Sequence, residues 1–181
     1  MLSACAAAAQ DADTSCGAAR SGAHPDAAAM HEAEALYLPT PQPVVEAMLR
    51  LAKVSRADIV YDLGSGDGRI PIAAARAYGA RGVGIELDGR MIERARCNAR
   101  AAGIERLVEF RQQDLFGADL REATVVTLFL FPEMNRRLLQ KLRSELRPGT
   151  RIVSHRFGLG DWPPERTIDA GGHTVLLWKV P

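Results

Sequence analysis

Apolar positions along this chain recur with two periods, and the alternation of the two lays out its elements. Val44, Val45, Met48, Leu49 and Ala52 return at the spacing that lines one face of a helix. Ile59 to Leu63 reads as a short buried strand, and a helix follows from Ile70 to about Tyr78, stopped by Gly79. Gly82 to Glu86 is a second strand. Asp88 is placed to cap a third helix, in which Met91, Ile92, Ala95 and Ala99 line one side while Arg90, Arg94 and Arg100 face water. Gly103 ends it. Leu107 to Gln112 alternates as a third strand, and Ala123 to Leu130 is a continuous apolar run of the kind that fills a central parallel strand buried on both faces. Pro132 opens a helix through Leu138, Leu139, Leu142 and Leu146. A fifth strand spans Arg151 to His155. Glu165 to Asp169 and Thr174 to Lys179 form two more, joined across Gly171-Gly172 as a hairpin. Strands alternating with helices predict an α/β fold with a mostly parallel seven-stranded sheet and a C-terminal antiparallel hairpin.

Composition changes this picture at the N-terminus. Residues 1–30 are dominated by Ala, Ser, Gly and Asp, with no aromatic residue and no sustained apolar period, and are expected to be disordered. Residues 31–181 then form one domain, long enough for a full core. Leu2-Ser3-Ala4-Cys5 has the form of a lipoprotein cleavage box, but the basic start and apolar run of an export signal do not precede it. A cytoplasmic protein is the expectation, and an exported lipoprotein anchored at Cys5 the alternative. The formal net charge of +1 gives no field that argues for nucleic acid. Cys5, Cys16 and Cys97 are widely spaced, so neither a metal site nor a disulfide framework is expected, and Cys97 reads as a small packed residue.

The candidate chemistry lies at the ends of the strands. After Asp62, Gly64-Ser65-Gly66-Asp67-Gly68 makes a tight turn, where main chain without a Cβ can approach a bound molecule closely. The following helix N-terminus offers free N–H groups to a carboxylate or phosphate. A dinucleotide fingerprint would need glycine at position 69, where Arg69 stands. Glu86 ends the second strand 22 positions after Gly64, where an acidic side chain can accept hydrogen bonds from both hydroxyls of a ribose. Tyr37 to Pro41 is a stiff extended entry, and Tyr37 and Thr40 serve either as a lid over the amino-acid end of a ligand or as a strap and helix cap.

The spacing of Gly64, Gly66 and Gly68 behind Asp62 resembles motif I of the class I S-adenosylmethionine methyltransferases. The order of elements from Tyr37 to Val180 is similar to their Rossmann-like fold. More narrowly, Tyr37-Leu38-Pro39-Thr40-Pro41, the block Tyr61 to Ile70, and His155-Arg156-Phe157 with Asp161-Trp162 resemble bacterial relatives of the ATP synthase c-subunit lysine methyltransferases. The resemblance implies S-adenosylmethionine as cofactor, with Tyr37, Thr40, Asp62, Gly64, Ser65, Gly66, Gly68 and Glu86 around it. Asp114 would receive the adenine amino group, and Leu115 would pack on the ring. It implies methyl transfer, with a protein lysine as acceptor; the sulfonium chemistry needs no metal, and the near-neutral charge gives no expectation of a nucleic-acid partner.

Two side chains are candidates for catalysis. Glu133, with Asn135 nearby, lies in the loop that adjoins the transferred methyl in such enzymes, although Glu133 is equally suited to the first turn of a helix. His155 sits at a C-terminal strand end, as a general base or as a hydrogen-bonded structural imidazole. Phe129, Phe131, Phe157 and Trp162 could line an acceptor channel. A small-molecule methyltransferase, a non-catalytic S-adenosylmethionine-binding module and a nicotinamide oxidoreductase are the alternatives.

Overall fold

The computed structural model describes residues 38–181. The expectations for residues 1–30, for the Leu2 to Cys5 box and for Tyr37 lie outside the described residues.

Seven strands form one sheet in the order β3-β2-β1-β4-β5-β7-β6. They are β1 (Ile59–Leu63), β2 (Arg81–Glu86), β3 (Val108–Gln112), β4 (Val125–Leu128), β5 (Arg151–His155), β6 (Arg166–Asp169) and β7 (Thr174–Lys179). β1 to β5 run parallel, and β7 is antiparallel to both β5 and β6. The helices are α1 (Gln42–Leu51), α2 (Arg69–Tyr78), α3 (Gly89–Ala101) and α4 (Pro132–Glu145), with a single 3₁₀ turn at Leu115–Gly117. Gly103 follows α3 in the left-handed conformation, as its stop.

Strand alternation sorts the core into two layers. Val60, Val125 and Val153 face α1 and α2, where they meet Val45, Met48, Leu49, Ile70 and Ala74. Their neighbours Tyr61, Leu63, Val126, Leu128 and Ile152 face the opposite way, onto Leu138 and Leu142 of α4 and the buried Trp178. α3 packs beside α2 through Ile92, Ala95 and Ala99 against Phe110. Close seating of α2 depends on Gly82, because a Cβ there would lie 2.8 Å from the Pro71 Cβ and 3.0 Å from its Cα.

Outside the core, Asp58 and Arg151 hold the start of β1 to the start of β5. Arg151 donates to the Asp58 carboxylate and to the carbonyl of Ala52, and Asp58 also accepts from Ser55 and Thr124. Burial pushes the Asp58 carboxyl up, but these hydrogen bonds outweigh it and hold it below the usual range.

Two expectations need correction. The apolar run Ala123 to Leu130 is strand only over Val125–Leu128, because Phe129 and Leu130 leave the ladder to line a cavity. Cys97 is half-buried on α3 and disulfide-bonded rather than a simple packed thiol, while Cys5 and Cys16 lie outside the described residues. Among the described residues no helix is long and apolar enough to cross a membrane.

Candidate active site

The chain reverses its direction of winding between β1 and β4, and in an open parallel sheet such a point leaves a crevice at the strands' carboxyl ends. A cavity of about 270 Å³ occupies that place. Thr40, Asp62, Gly64, Ser65, Asp67, Arg69 and Glu86 give it polar walls, and Leu38, Pro39, Phe129, Leu130, Phe131 and Met134 give it apolar ones. A larger, open hollow of about 510 Å³ between α1 and β6 holds none of the site residues expected from sequence.

The glycine turn is fixed by the strands around it. Gly64 and Ser65 donate from their backbone N–H groups to the Ile85 carbonyl at 2.9 and 3.0 Å, and Gly66 N–H donates to Glu86 Oε2 at 2.9 Å. The other oxygen of Glu86 accepts from the N–H groups of Leu87 and Asp88 at 2.8 and 3.0 Å. The same carboxylate therefore closes the turn onto β2 and faces the cavity. Gly68 has φ 78° where α2 begins, and a Cβ there would stand 2.6 Å from the Phe110 ring and 2.9 Å from the Ala95 Cβ. Only glycine satisfies both the conformation and the space.

Asp62 is buried and accepts a 2.7 Å hydrogen bond from the Thr127 hydroxyl. Burial pushes its carboxyl up to about 7; the Thr127 bond opposes this, and the charges of Asp67 and Glu86 add to it. Asp67 is held by the Arg69 guanidinium, which also donates to the Thr40 carbonyl at 3.0 Å and so ties the entry strap to the glycine turn.

The residues expected from sequence fall into two groups. Thr40, Asp62, Gly64, Ser65 and Glu86 meet on the cavity wall, while Gly66 and Gly68 shape the turn behind it. Asp114 and Leu115 lie beyond that wall at the end of β3, where Asp114 caps the 3₁₀ turn by accepting from Phe116 N–H at 3.0 Å. Gln113, next to them, donates its backbone N–H to the Glu86 carbonyl at 2.9 Å, which holds the end of β3 beside the tip of β2. Glu133 is exposed on the first turn of α4 and pairs with Arg136 at 2.8 Å, whereas Met134 lines the cavity in its place. Asn135 is buried and donates to the carbonyls of Phe157 and Gly158, leaving Oδ1 with no partner among the described residues.

Of the aromatic candidates, Phe129 and Phe131 line the cavity and Phe157 packs behind both, with ring centroids 6.4 and 6.1 Å away. Trp162 lies elsewhere, its carbonyl accepting from the Trp178 indole at 2.8 Å. His155 is one layer behind the cavity, with its ring centroid 4.1 Å from that of Phe129. Burial lowers it to about 4, helped by His173 and Arg156, so the imidazole is neutral at physiological pH. Asp67, Arg69 and His173 are polar residues that sequence reasoning misses. In the sequence Arg69 marks only the absent third glycine, and nothing in the chain pairs residue 173 with 155 until the hairpin register is known.

A parallel sheet that switches at β1 and β4, a glycine turn on β1 and a carboxylate on the tip of β2 make a nucleoside site, and with the antiparallel β7 beside β5 and the relatives below the class is that of the class I S-adenosylmethionine-dependent methyltransferases. The residues present fit that cofactor, whose sulfonium and amino group are cations, because Asp62 and Glu86 bring carboxylates to the cavity. The family model of the ANTKMT methyltransferase domain matches residues 62–166, and the chain belongs to that family. It is 44% identical over 149 residues to a protein-lysine N-methyltransferase of Saccharolobus islandicus, covering 80% of this chain and 92% of that protein. It is 34% identical to the ATP synthase c-subunit lysine N-methyltransferase of Xenopus laevis over 80% of this chain, and spans 63% of that longer protein. Among solved structures, an RNA methyltransferase from Salinibacter ruber in complex with S-adenosyl-L-homocysteine is 58% identical with a TM-score of 0.79, over 80% of this chain and 94% of that one.

Proposed function

We propose that residues 31–181 form a catalytic domain that transfers the methyl group of S-adenosylmethionine to the side-chain amine of a protein lysine. The division of the cavity is the observation behind this reading. Carboxylates and the glycine turn occupy the β2 and β1 end, and Leu38, Phe129, Leu130, Phe131 and Met134 surround the β4 end. An apolar opening suits the aliphatic stem of a lysine. Two of the relatives above bear lysine N-methyltransferase names, in agreement with it.

The cofactor supplies a methyl group already activated on a sulfonium, so the protein's task is alignment and exclusion of water. Asp62 and the turn from Gly64 to Gly68 would hold the amino-acid end, Glu86 the sugar hydroxyls, and Asp114 with Leu115 the adenine. A free lysine amine with its pKa near ~10.4 must lose a proton before it attacks, and apolar surroundings ease that loss. The reaction belongs to the cytoplasm, where the cofactor is made.

An RNA acceptor is the second reading, favoured by the name of the Salinibacter ruber protein. The acceptor end of the cavity argues against it, because Leu38, Phe129, Leu130, Phe131 and Met134 there bring no cation to hold a phosphate. An apolar wall suits an aliphatic stem better than a phosphate backbone, which is bound through cationic side chains. Radiolabelled S-adenosylmethionine, added with the protein to lysate of a strain lacking the gene, separates the readings. Label is expected in a protease-sensitive fraction as ε-N-methyllysine. Label removed by ribonuclease, or found only in small molecules, refutes the lysine acceptor.

A further inference from the structure

A hydrogen-bonded chain of three side chains leads from the cavity wall to the outside of the C-terminal hairpin. Thr40 is 4% exposed and lines the cavity, and its Oγ1 lies 3.2 Å from His155 Nδ1. His155 is 1% exposed, and its Nε2 lies 2.9 Å from Nδ1 of the half-buried His173. A neutral imidazole carries one N–H, so the directions of the two bonds are coupled. If His155 donates to His173, its Nδ1 accepts the Thr40 hydroxyl proton, and the Thr40 lone pairs turn to the cavity. If His173 donates to His155, the chain reverses and the Thr40 hydroxyl proton points inward.

Position decides which polarity is useful. His155 ends β5, so Thr40 stands on the β5 side of the cavity, where its carbonyl is held by Arg69 and Leu38, Pro39, Phe129, Leu130, Phe131 and Met134 supply the apolar part of the wall. An amine arriving there finds Thr40 Oγ1 as its polar side-chain partner. We propose that His173 and His155 hold the Thr40 hydroxyl with its lone pairs turned inward, so that Thr40 accepts an N–H from the acceptor amine and aims the nitrogen lone pair at the methyl carbon. Thr40 touches the substrate, whereas His155 and His173 are positioning residues that act through it. The assignment rests on the lysine methyltransferase reading, and it moves Thr40 from the cofactor's amino-acid end to the acceptor.

The test measures initial rates of label transfer from S-adenosylmethionine into lysate protein, together with the Kd of S-adenosylhomocysteine and the melting temperature of each variant. Thr40→Val is expected to lose roughly tenfold in maximal rate with that Kd unchanged, the effect of one positioning hydrogen bond. Thr40→Ser is expected to recover the rate. His173→Phe, at a half-buried site, is expected to slow transfer several-fold with the melting temperature little changed, and the double variant to be no slower than Thr40→Val alone. The proposal is overturned if Thr40→Val weakens binding of S-adenosylhomocysteine at unchanged rate, if Thr40→Ser is as slow as the valine variant, or if the two losses add. A wild-type protein that binds the product but labels only RNA or metabolites overturns the lysine reading and this inference together; one that labels protein while Thr40→Val matches it overturns the inference alone.

Discussion

Asp62 makes ligand affinity depend on pH, with a size that follows from its surroundings. The carboxyl is buried and raised to about 7, and its ionised form is the one that can pair with the ligand's amino group. If S-adenosylhomocysteine binds only that form, affinity falls as the group protonates, and Kd at pH 6 is about tenfold weaker than at pH 8, or about 1.4 kcal/mol. The free protein responds in the opposite direction. An acid raised from 3.8 to about 7 by folding binds more protons in the native state than in the unfolded chain across that interval. This group's contribution to stability therefore declines as pH rises from about 4 to about 7, by an amount on the order of 4 kcal/mol. Titration calorimetry with S-adenosylhomocysteine at a series of pH values, on the wild type and on Asp62→Asn, measures the first effect. The wild type should show the tenfold slope, and Asp62→Asn should bind more weakly with the slope removed. A flat wild-type profile, or an equal slope in the variant, refutes the argument.

Other perturbations test the frame around the site. Gly68→Ala combines a left-handed backbone with a Cβ driven into the Phe110 ring, and should destabilise the fold by about 3 kcal/mol in urea unfolding. Arg151→Met leaves Asp58 buried without its cation and should cost about 3 kcal/mol, read from the same transition; an unchanged midpoint would show the pair to be dispensable. Glu133→Gln breaks an exposed pair with Arg136 outside the cavity, so stability should move by less than about 0.5 kcal/mol and methyl transfer stay within twofold of wild type.

Much of the frame is legible in the sequence because its causes are local. Apolar period and glycine stops mark each helix and strand to within a few residues, and the spacing from Gly64 to Glu86 puts a carboxylate on the strand beside the turn. What the spacing does not show is that Glu86 binds the turn itself through Gly66, since that contact forms only when β2 lies next to β1. The end of β4 misleads for a related reason: Phe129 and Leu130 have strand-like side chains, but with no ladder to join they become cavity wall. Arg69 and His173 escape notice because their meaning comes from partners 29 and 18 residues away, reached by long-range packing rather than by any local pattern.

The bond from the Trp178 indole to the Trp162 carbonyl has a practical consequence. These are the chain's two tryptophans, and both belong to the segment that runs from the end of β5 through the closing hairpin. Intrinsic fluorescence is therefore a local gauge, sensitive to that half of the sheet and nearly blind to the nucleoside half. A fluorescence melt that runs ahead of the circular dichroism melt would reveal the hairpin opening first, and coincident curves would mean that the two halves come apart as one.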